Sequence, residues 1–305
     1  MNRALASSIS ADYQAAHGQC LSLAPLVQRV TANNPGMMTF EGTNSYIIGD
    51  QYVCIIDPGP ADEAHFAALL RALQGRTLTH IVVSHTHRDH CGLAVQLQQA
   101  TGALLVAEGP HRLSRPLHDG EADAFGESSD YTFAPDISLK DGEVLRGDGW
   151  ALETVLTPGH AANHAAFALE GSGVLFSADH VMAWSTTVVA PPDGSMRHYM
   201  ASLDRLLARQ DTVYLPGHGG AVLEPAAYVA QLKNHRLTRE ASIIASIQAG
   251  DRTVDAVVAT LYRGLDPKLH KAASLSVLAH LEDLVERGIL NSSGLALLTS
   301  TYTPN

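Results

Sequence analysis

Between Ser84 and His90 the chain reads Ser-His-Thr-His-Arg-Asp-His, so three imidazoles (His85, His87, His90) and a carboxylate (Asp89) crowd one short stretch. Nitrogen and oxygen donors at this density suit a borderline divalent cation, zinc above all. The stretch follows His80-Ile81-Val82-Val83, an apolar run that reads as a buried strand with the donors on the loop at its carboxyl end. Three more donors recur in the same setting. His160 stands in Thr-Pro-Gly-His, Asp179 in Phe-Ser-Ala-Asp-His, and His218 in Leu-Pro-Gly-His-Gly. Each follows a short apolar run, Leu152 to Leu156, Val174 to Phe176 and Val213 to Leu215. Strand, tight turn and then ligand is how one edge of a sheet gathers distant side chains into a single cavity.

The elements that must hold these donors alternate between sheet and helix. Residues 21–32 and 43–56 carry strand-like apolar alternation, and Asp57-Pro58-Gly59-Pro60 is a turn. Helical spacing follows over 62–73, a strand over 80–84, a helix over 92–101 and a strand over 103–107. This order is the one a layered α/β sandwich requires. Residues 108–135 are rich in Gly, Pro, Ser, Asp and Glu, and they are expected to form a mobile cover over the cleft, with His111 and His118 as surface histidines. Short strands return over 136–218, interrupted by a polar loop from Trp184 to Gly194 and a helix from about 196 to 209. Helices over 224–249, 253–262 and 272–287, then apolar runs around Asn291-Ser292-Ser293-Gly294 read as a hairpin turn, describe a small winged helix. The division expected is therefore a catalytic domain over 1–234 and a winged-helix tail over 235–305.

Composition narrows the class. A hydrophobic content of 46% against 17% charged residues is enough for a sizeable core. No apolar stretch approaches the roughly twenty residues that span a bilayer, so no membrane partner is expected. Residues Met1 to Gly18 lack the continuous apolar block of a secretory signal. Cys20, Cys54 and Cys91 are too few and too scattered for a disulfide framework, which points to a reducing, cytoplasmic setting. The whole formal charge of -11 falls within residues 1–234, and the tail is balanced. Such a surface disfavours indiscriminate grip on polyphosphate, although a bound cation adds local positive charge.

The H-x-H-x-D-H run followed by His, Asp and His in that order resembles the metallo-β-lactamase superfamily. The tail, with His235-Arg236-x-x-Arg239-Glu240, resembles its β-lactamase-like protein 2 group, as do Phe176 to Asp179, Thr186 to Val188 and Tyr214 to Gly219. The resemblance implies a four-layer αββα sandwich with a C-terminal winged helix. It also implies two Zn2+ per chain: His85, His87 and His160 on one, Asp89, His90 and His218 on the other, and Asp179 bridging. Iron or manganese occurs in relatives with the same ligands. Two such ions share a hydroxide whose pKa falls from near 16 toward roughly 7, poised to attack a carbonyl or phosphoryl centre. Asp89 is expected to orient it as well. The resemblance places Asn44, Thr186 and Thr187 near substrate, and His164, four residues beyond His160, is a further candidate for substrate contact or for packing.

Residue identities separate branches of the superfamily but leave the substrate open. True β-lactamases lack the carboxylate at position 179, so antibiotic hydrolysis is expected only as a weak or promiscuous side activity. One reading is an endoribonuclease on single-stranded RNA, with the winged helix holding the strand through Arg236, Arg239, Arg252, Arg263, Lys268 and Lys271. The alternative is a hydrolase of thioesters, lactones or related acyl compounds with glyoxalase II-like chemistry, in which the tail packs or builds a homodimer. A binding protein with a structural metal is the third reading, and it fits poorly. Structural zinc is closed by four ligands, whereas seven shared by two ions leave open positions.

Overall fold

The computed structural model describes residues 13–305, so the first twelve residues, including most of the stretch read as free of a secretory signal, lie outside the described residues. Two sheets face each other. The first runs β1 (Cys20–Ala24), β2 (Val27–Thr31), β3 (Asn44–Ile48), β4 (Tyr52–Ile56), β5 (Thr77–Val82), β6 (Leu104–Ala107) and β7 (Ile137–Ser138), in chain order. The second comprises β8 (Val144–Gly147), β9 (Trp150–Leu156), β10 (Ala165–Leu169), β11 (Val174–Ala178) and β12 (Val213–Pro216), ordered β12-β11-β10-β9-β8.

Strand alternation sorts the core into layers. In β4, Cys54 and Ile56 face the other sheet, while Val53 and Ile55 face helices α1 (Glu63–Leu73) and α3 (Ala94–Thr101). A one-turn helix, α2 (Arg88–Cys91), precedes α3. In β11, Phe176 points between the sheets and Leu175 points to α4 (Met196–Leu207) and α5 (Pro225–Ala249). The central strands are thus buried on both faces, which is why they read as nearly unbroken apolar runs. Tyr46 and Phe176 meet between the sheets with ring centroids 5.0 Å apart. Each such buried aromatic contributes roughly 1.5–3 kcal/mol. The result is the four-layer αββα sandwich.

Strand direction then decides where the polar groups gather. β4 and β5 are parallel, β11 and β12 are parallel, and β9 points the same way as β11 because each pairs antiparallel with β10. Their carboxyl ends carry Asp57, the 84–90 run, His160, Asp179 and His218 to one edge of the sandwich. Backbone bonds from Ala165 N–H to Ser84 C=O (2.9 Å) and from Asn44 N–H to Gly217 C=O (2.8 Å) tie the sheets together there.

The tail holds α6 (Val254–Leu261), α7 (His270–Glu286) and the pair β13 (Leu290–Ser292) and β14 (Tyr302–Pro304), around a cluster of Ile243, Ile247, Val257, Leu281, Leu284 and Tyr302. This is the winged helix. Its hairpin differs from the sequence reading: Ser292 pairs with Tyr302, so the connection is 293–301 rather than a tight turn at 291–294. Leu295, Leu297 and Leu298, which read as the returning strand, lie in that connection. Helix α5 runs unbroken past 234. Tyr228, Val229 and Leu232 pack on the sandwich, while Ile243 and Ile247 pack in the tail. All three cysteines are free, and among the described residues no helix is long and apolar enough to cross a membrane.

Candidate metal centre and the cavity beside it

Seven side chains from four chain segments converge at the sheet edge. Donor atoms of His85, His87 and His160 lie within 4.8 Å of one another, as do those of Asp89, His90 and His218. His87 Nδ1 is 3.0 Å from the Nε2 atoms of both His85 and His160. Asp179 stands between the two groups. Its Oδ1 is 3.4 Å from His90 Nε2, and its Oδ2 is 3.4 Å from His218 Nε2 and 3.7 Å from His160 Nε2. The sequence candidates for metal ligation therefore all meet in one place.

Each imidazole has an outward partner that fixes its ring. Asp57 Oδ2 accepts from His90 Nδ1 at 2.9 Å, and Asp193 Oδ2 accepts from His87 Nε2 at 3.0 Å. His160 Nδ1 donates to the Val188 carbonyl (2.7 Å) and His218 Nδ1 to the Gly42 carbonyl (3.2 Å), while Ser84 Oγ lies 3.0 Å from His85 Nδ1. Holding one nitrogen in a donor role leaves the other bare and pointed inward, the arrangement of metal-bound histidines.

Charge follows the same geometry. Burial alone would lower His90, yet Asp179, Asp89 and Asp57 hold it well above the ordinary imidazole range. His218 is likewise pushed up to about 9 against burial by Asp179 and Asp89. Burial works to raise Asp89 and Asp179, but the surrounding imidazoles hold both carboxyls below their usual range. His85 is driven well down by burial and by its histidine neighbours. A coordinating imidazole must be neutral at the ligating nitrogen, so cation binding at His90 and His218 would be coupled to proton release. Among the described residues, His90 Nε2, His218 Nε2 and Asp179 Oδ1 are buried with no hydrogen-bond partner. Unsatisfied buried groups of this kind cost about 1–3 kcal/mol each, which a bound cation would offset. The donor set fits a divalent metal.

Beside this cluster lies a cavity of about 380 Å3. His87, Asp89, His160 and Asp179 form its floor, and Met37, Met38, Phe125, Met182 and Trp184 give its walls an apolar character. Trp184 is backed by Phe40, stacked at 5.1 Å. Phe125, Glu127 and Ser128 come from the irregular 108–135 segment, which is bonded in place by Arg88 N–H to Ser128 C=O (2.7 Å) and Asp130 N–H to Thr86 C=O (2.8 Å). His111, half-buried within that segment, bonds Thr86 Oγ1 at 2.8 Å.

The four residues named for substrate contact separate. Thr186 lines the cavity. Asn44 does not: its amide donates to the carbonyls of Pro216 and Gly219 (3.1 and 2.9 Å) and accepts from Thr31, clamping the turn that carries His218. His164 is buried, with Nδ1 2.8 Å from Thr157 Oγ1 and Nε2 accepting from Asp179 N–H at 3.2 Å. Thr187 Oγ1 donates to the carbonyls of Asp179 (2.7 Å) and His180 (3.0 Å). His164 and Thr187 thus hold Asp179 from outside. Sequence reasoning missed Asp57, which reads only as the start of a turn, and Asp193, which sits in an ordinary Pro-Asp-Gly loop. For Asp57 a signal existed, since it follows strand β4 as Asp179 follows β11.

Residues 38–218 match the Metallo-beta-lactamase superfamily, and residues 253–295 match the Beta-lactamase associated winged helix domain. The chain is 28% identical to the Beta-lactamase-like protein 2 homolog of Drosophila melanogaster, over 90% of this chain and 94% of the fly protein. It is 26% identical to an Atrochrysone carboxyl ACP thioesterase of Aspergillus chevalieri, over 89% of this chain and 82% of that one. In fold it is similar to the crystal structure of a Beta-lactamase domain protein from Burkholderia ambifaria, with a TM-score of 0.84, 23% identity, and 100% and 99% of the two chains covered. With more than half its length matched and its tail accounted for, the chain belongs to the metallo-beta-lactamase superfamily of hydrolases.

Proposed function

We propose that this chain hydrolyses thioesters or related acyl compounds at a dinuclear zinc centre. The observation that carries the reading is the apolar wall of Met37, Met38, Phe125, Met182 and Trp184 directly over the His/Asp cluster. Such a wall offers an acyl chain burial at about 25 cal/mol per Å2 and offers a phosphate backbone nothing. The thioesterase name of the Aspergillus relative supports the same direction.

In this reading His85, His87 and His160 hold one cation, Asp89, His90 and His218 the other, and Asp179 reaches both. The mixed imidazole and carboxylate set favours zinc, with iron or manganese as substitutes. When bound, the cations supply Lewis acidity and bring the pKa of a water down to about 7. The protein's own part is to keep the rings aligned through Asp57, Asp193 and the Val188 and Gly42 carbonyls, and to exclude bulk water with the 108–135 wall. Asp89, 29% exposed on its side chain and open to the cavity, is the carboxylate placed to orient an attacking water. The tail serves packing and, in solution, a homodimer. The catalytic unit is assigned to 1–234 and the tail to 235–305, with α5 spanning both. The three free cysteines fit a cytoplasmic protein.

The ribonuclease reading needs a basic track toward the cavity. Of the tail cations proposed for it, Arg236 is buried, Arg239 packs over Tyr262 at 4.2 Å, and Arg252 is bonded to the Ile247 carbonyl. Purified, zinc-loaded protein assayed on a graded acyl-thioester series and on single-stranded RNA separates the two. The expected outcome is EDTA-sensitive thioester hydrolysis with intact RNA; EDTA-sensitive RNA cleavage with inert thioesters would hand the function to the nuclease.

A further inference from the structure

The His235-Arg236-x-x-Arg239-Glu240 stretch of α5 touches neither the cavity nor the metal cluster, yet it is tied to both halves of the protein. Arg236 is 3% exposed, and among the described residues no carboxylate lies within ion-pair distance of it. Its guanidinium donates to the Thr187 carbonyl and lies over the Tyr199 ring, 5.0 Å from the centroid, while its Nε has no partner among the described residues. Buried charges are ordinarily paired, because desolvation is costly. A lone guanidinium kept here at that cost calls for a reason.

The carbonyl it holds belongs to a short and consequential piece of backbone. Thr187 Oγ1 donates to the carbonyls of Asp179 and His180, and the next carbonyl, of Val188, accepts the Nδ1 proton of His160. Tyr199, the ring beneath the guanidinium, donates its hydroxyl to the same His180 carbonyl at 3.2 Å. Thr186 and Val188 also line the cavity. On its other side the stretch enters the tail: Arg239 lies over Tyr262, and Glu240 pairs with Arg287 at the end of α7.

We infer that Arg236 is a positioning residue for the metal centre, holding the 187–188 peptide so that His160 and Asp179 keep their coordinating geometry, and that through it α5 couples the winged-helix tail to the site. The inference rests on the reading of the His/Asp cluster as a metal centre. It explains the buried cation without assigning it to substrate.

The test compares wild-type full-length protein with Arg236→Met, measuring zinc affinity by chelator competition, the absorption bands of the cobalt(II)-substituted protein, and the melting temperature of the metal-free form. Arg236→Met is expected to lose about 10- to 100-fold in zinc affinity, the range for partners that orient a ligand from outside, with shifted cobalt bands. The metal-free variant should melt no lower than wild type, since an unpaired buried charge has been replaced by an apolar chain. Zinc affinity within about twofold of wild type and unchanged cobalt bands overturn the inference. A loss of affinity matched by a lower metal-free melting temperature also overturns it, in favour of a purely structural role. Should Arg236→Met fail to fold, Arg236→Gln is read by the same thresholds. Wild-type protein that takes up neither zinc nor cobalt overturns the metal-centre reading, and this inference with it.

Discussion

Asp57→Asn is the substitution that probes most sharply how the centre is held. Asp57 accepts three bonds, from Ser84 N–H (2.8 Å), Ser84 Oγ (2.7 Å) and His90 Nδ1 (2.9 Å), and Ser84 Oγ in turn meets His85. It does so from a left-handed backbone position, φ 52°, which asparagine tolerates as well as aspartate. The shape and backbone therefore survive. The amide oxygen keeps the Ser84 N–H bond, and its NH2 then faces Ser84 Oγ and His90 Nδ1. A serine hydroxyl can turn and accept, but His90 Nδ1 can accept only by moving its proton to Nε2. That atom faces Asp179 and Asp89, and once protonated it cannot coordinate. Charge-assisted bonds becoming neutral cost about 1 kcal/mol in folding. The cost in metal affinity should be about 10- to 100-fold, or roughly 1.4–2.7 kcal/mol. Chelator competition with zinc, alongside melting of the metal-free protein, measures both. A variant that binds zinc within about twofold of wild type would refute the tautomer argument.

Three other expectations follow from different parts of the molecule. Asp179→Ala should lose bound metal and cut turnover by more than the about 100-fold that outward partners cost, while circular dichroism stays that of the folded chain; wild-type stoichiometry and rate would contradict its placement between the two groups. Phe125→Ala and Trp184→Ala should each lower kcat/KM for a long acyl thioester about tenfold while leaving an acetyl thioester within about twofold, and an equal loss on both substrates would remove the apolar wall from specificity. Glu282, which shares Arg115 with Glu121, is pushed up to about 7 by burial and by Glu121 and Glu286 against the pull of Arg115. A raised carboxyl contributes stability present below its unfolded pKa, near 4.5, and lost as pH rises through about 7. Glu282→Gln should therefore gain on wild type between those values, by an order of 3 kcal/mol at most, and a pH-independent difference in unfolding free energy would show that the pair with Arg115 wins.

The ligand types are legible in the sequence because each group of donors sits just beyond a short apolar run, followed at His160 and His218 by a Pro-Gly turn, a local pattern. The layers were legible for the same reason, through alternation in strands such as β4 and β11. What escaped depends on contacts between distant segments. Asp193 meets His87 across 106 positions, and nothing in Pro-Asp-Gly announces it. The resemblance places Asn44 and Thr187 toward substrate and leaves His164 open between substrate contact and packing. Buried polar groups must first satisfy backbone, however, and these three spend their hydrogen bonds holding the ligand loops. Arg236 looked like part of a basic face, yet helix α5 turns it inward, a fact set by which side of α5 meets α4. In the tail, Leu295 to Leu298 mimic the returning strand of a tight hairpin, while the Leu297 carbonyl instead accepts the Tyr302 hydroxyl at 2.7 Å.

The metal content of the protein is the most direct measure of the proposed centre. Elemental analysis of the purified full-length chain after zinc loading and removal of free ions should return two zinc ions per chain, and substituting His87 or His218 should lower that number. A chain that retains no cation, or one whose zinc content is indifferent to those substitutions, would contradict it.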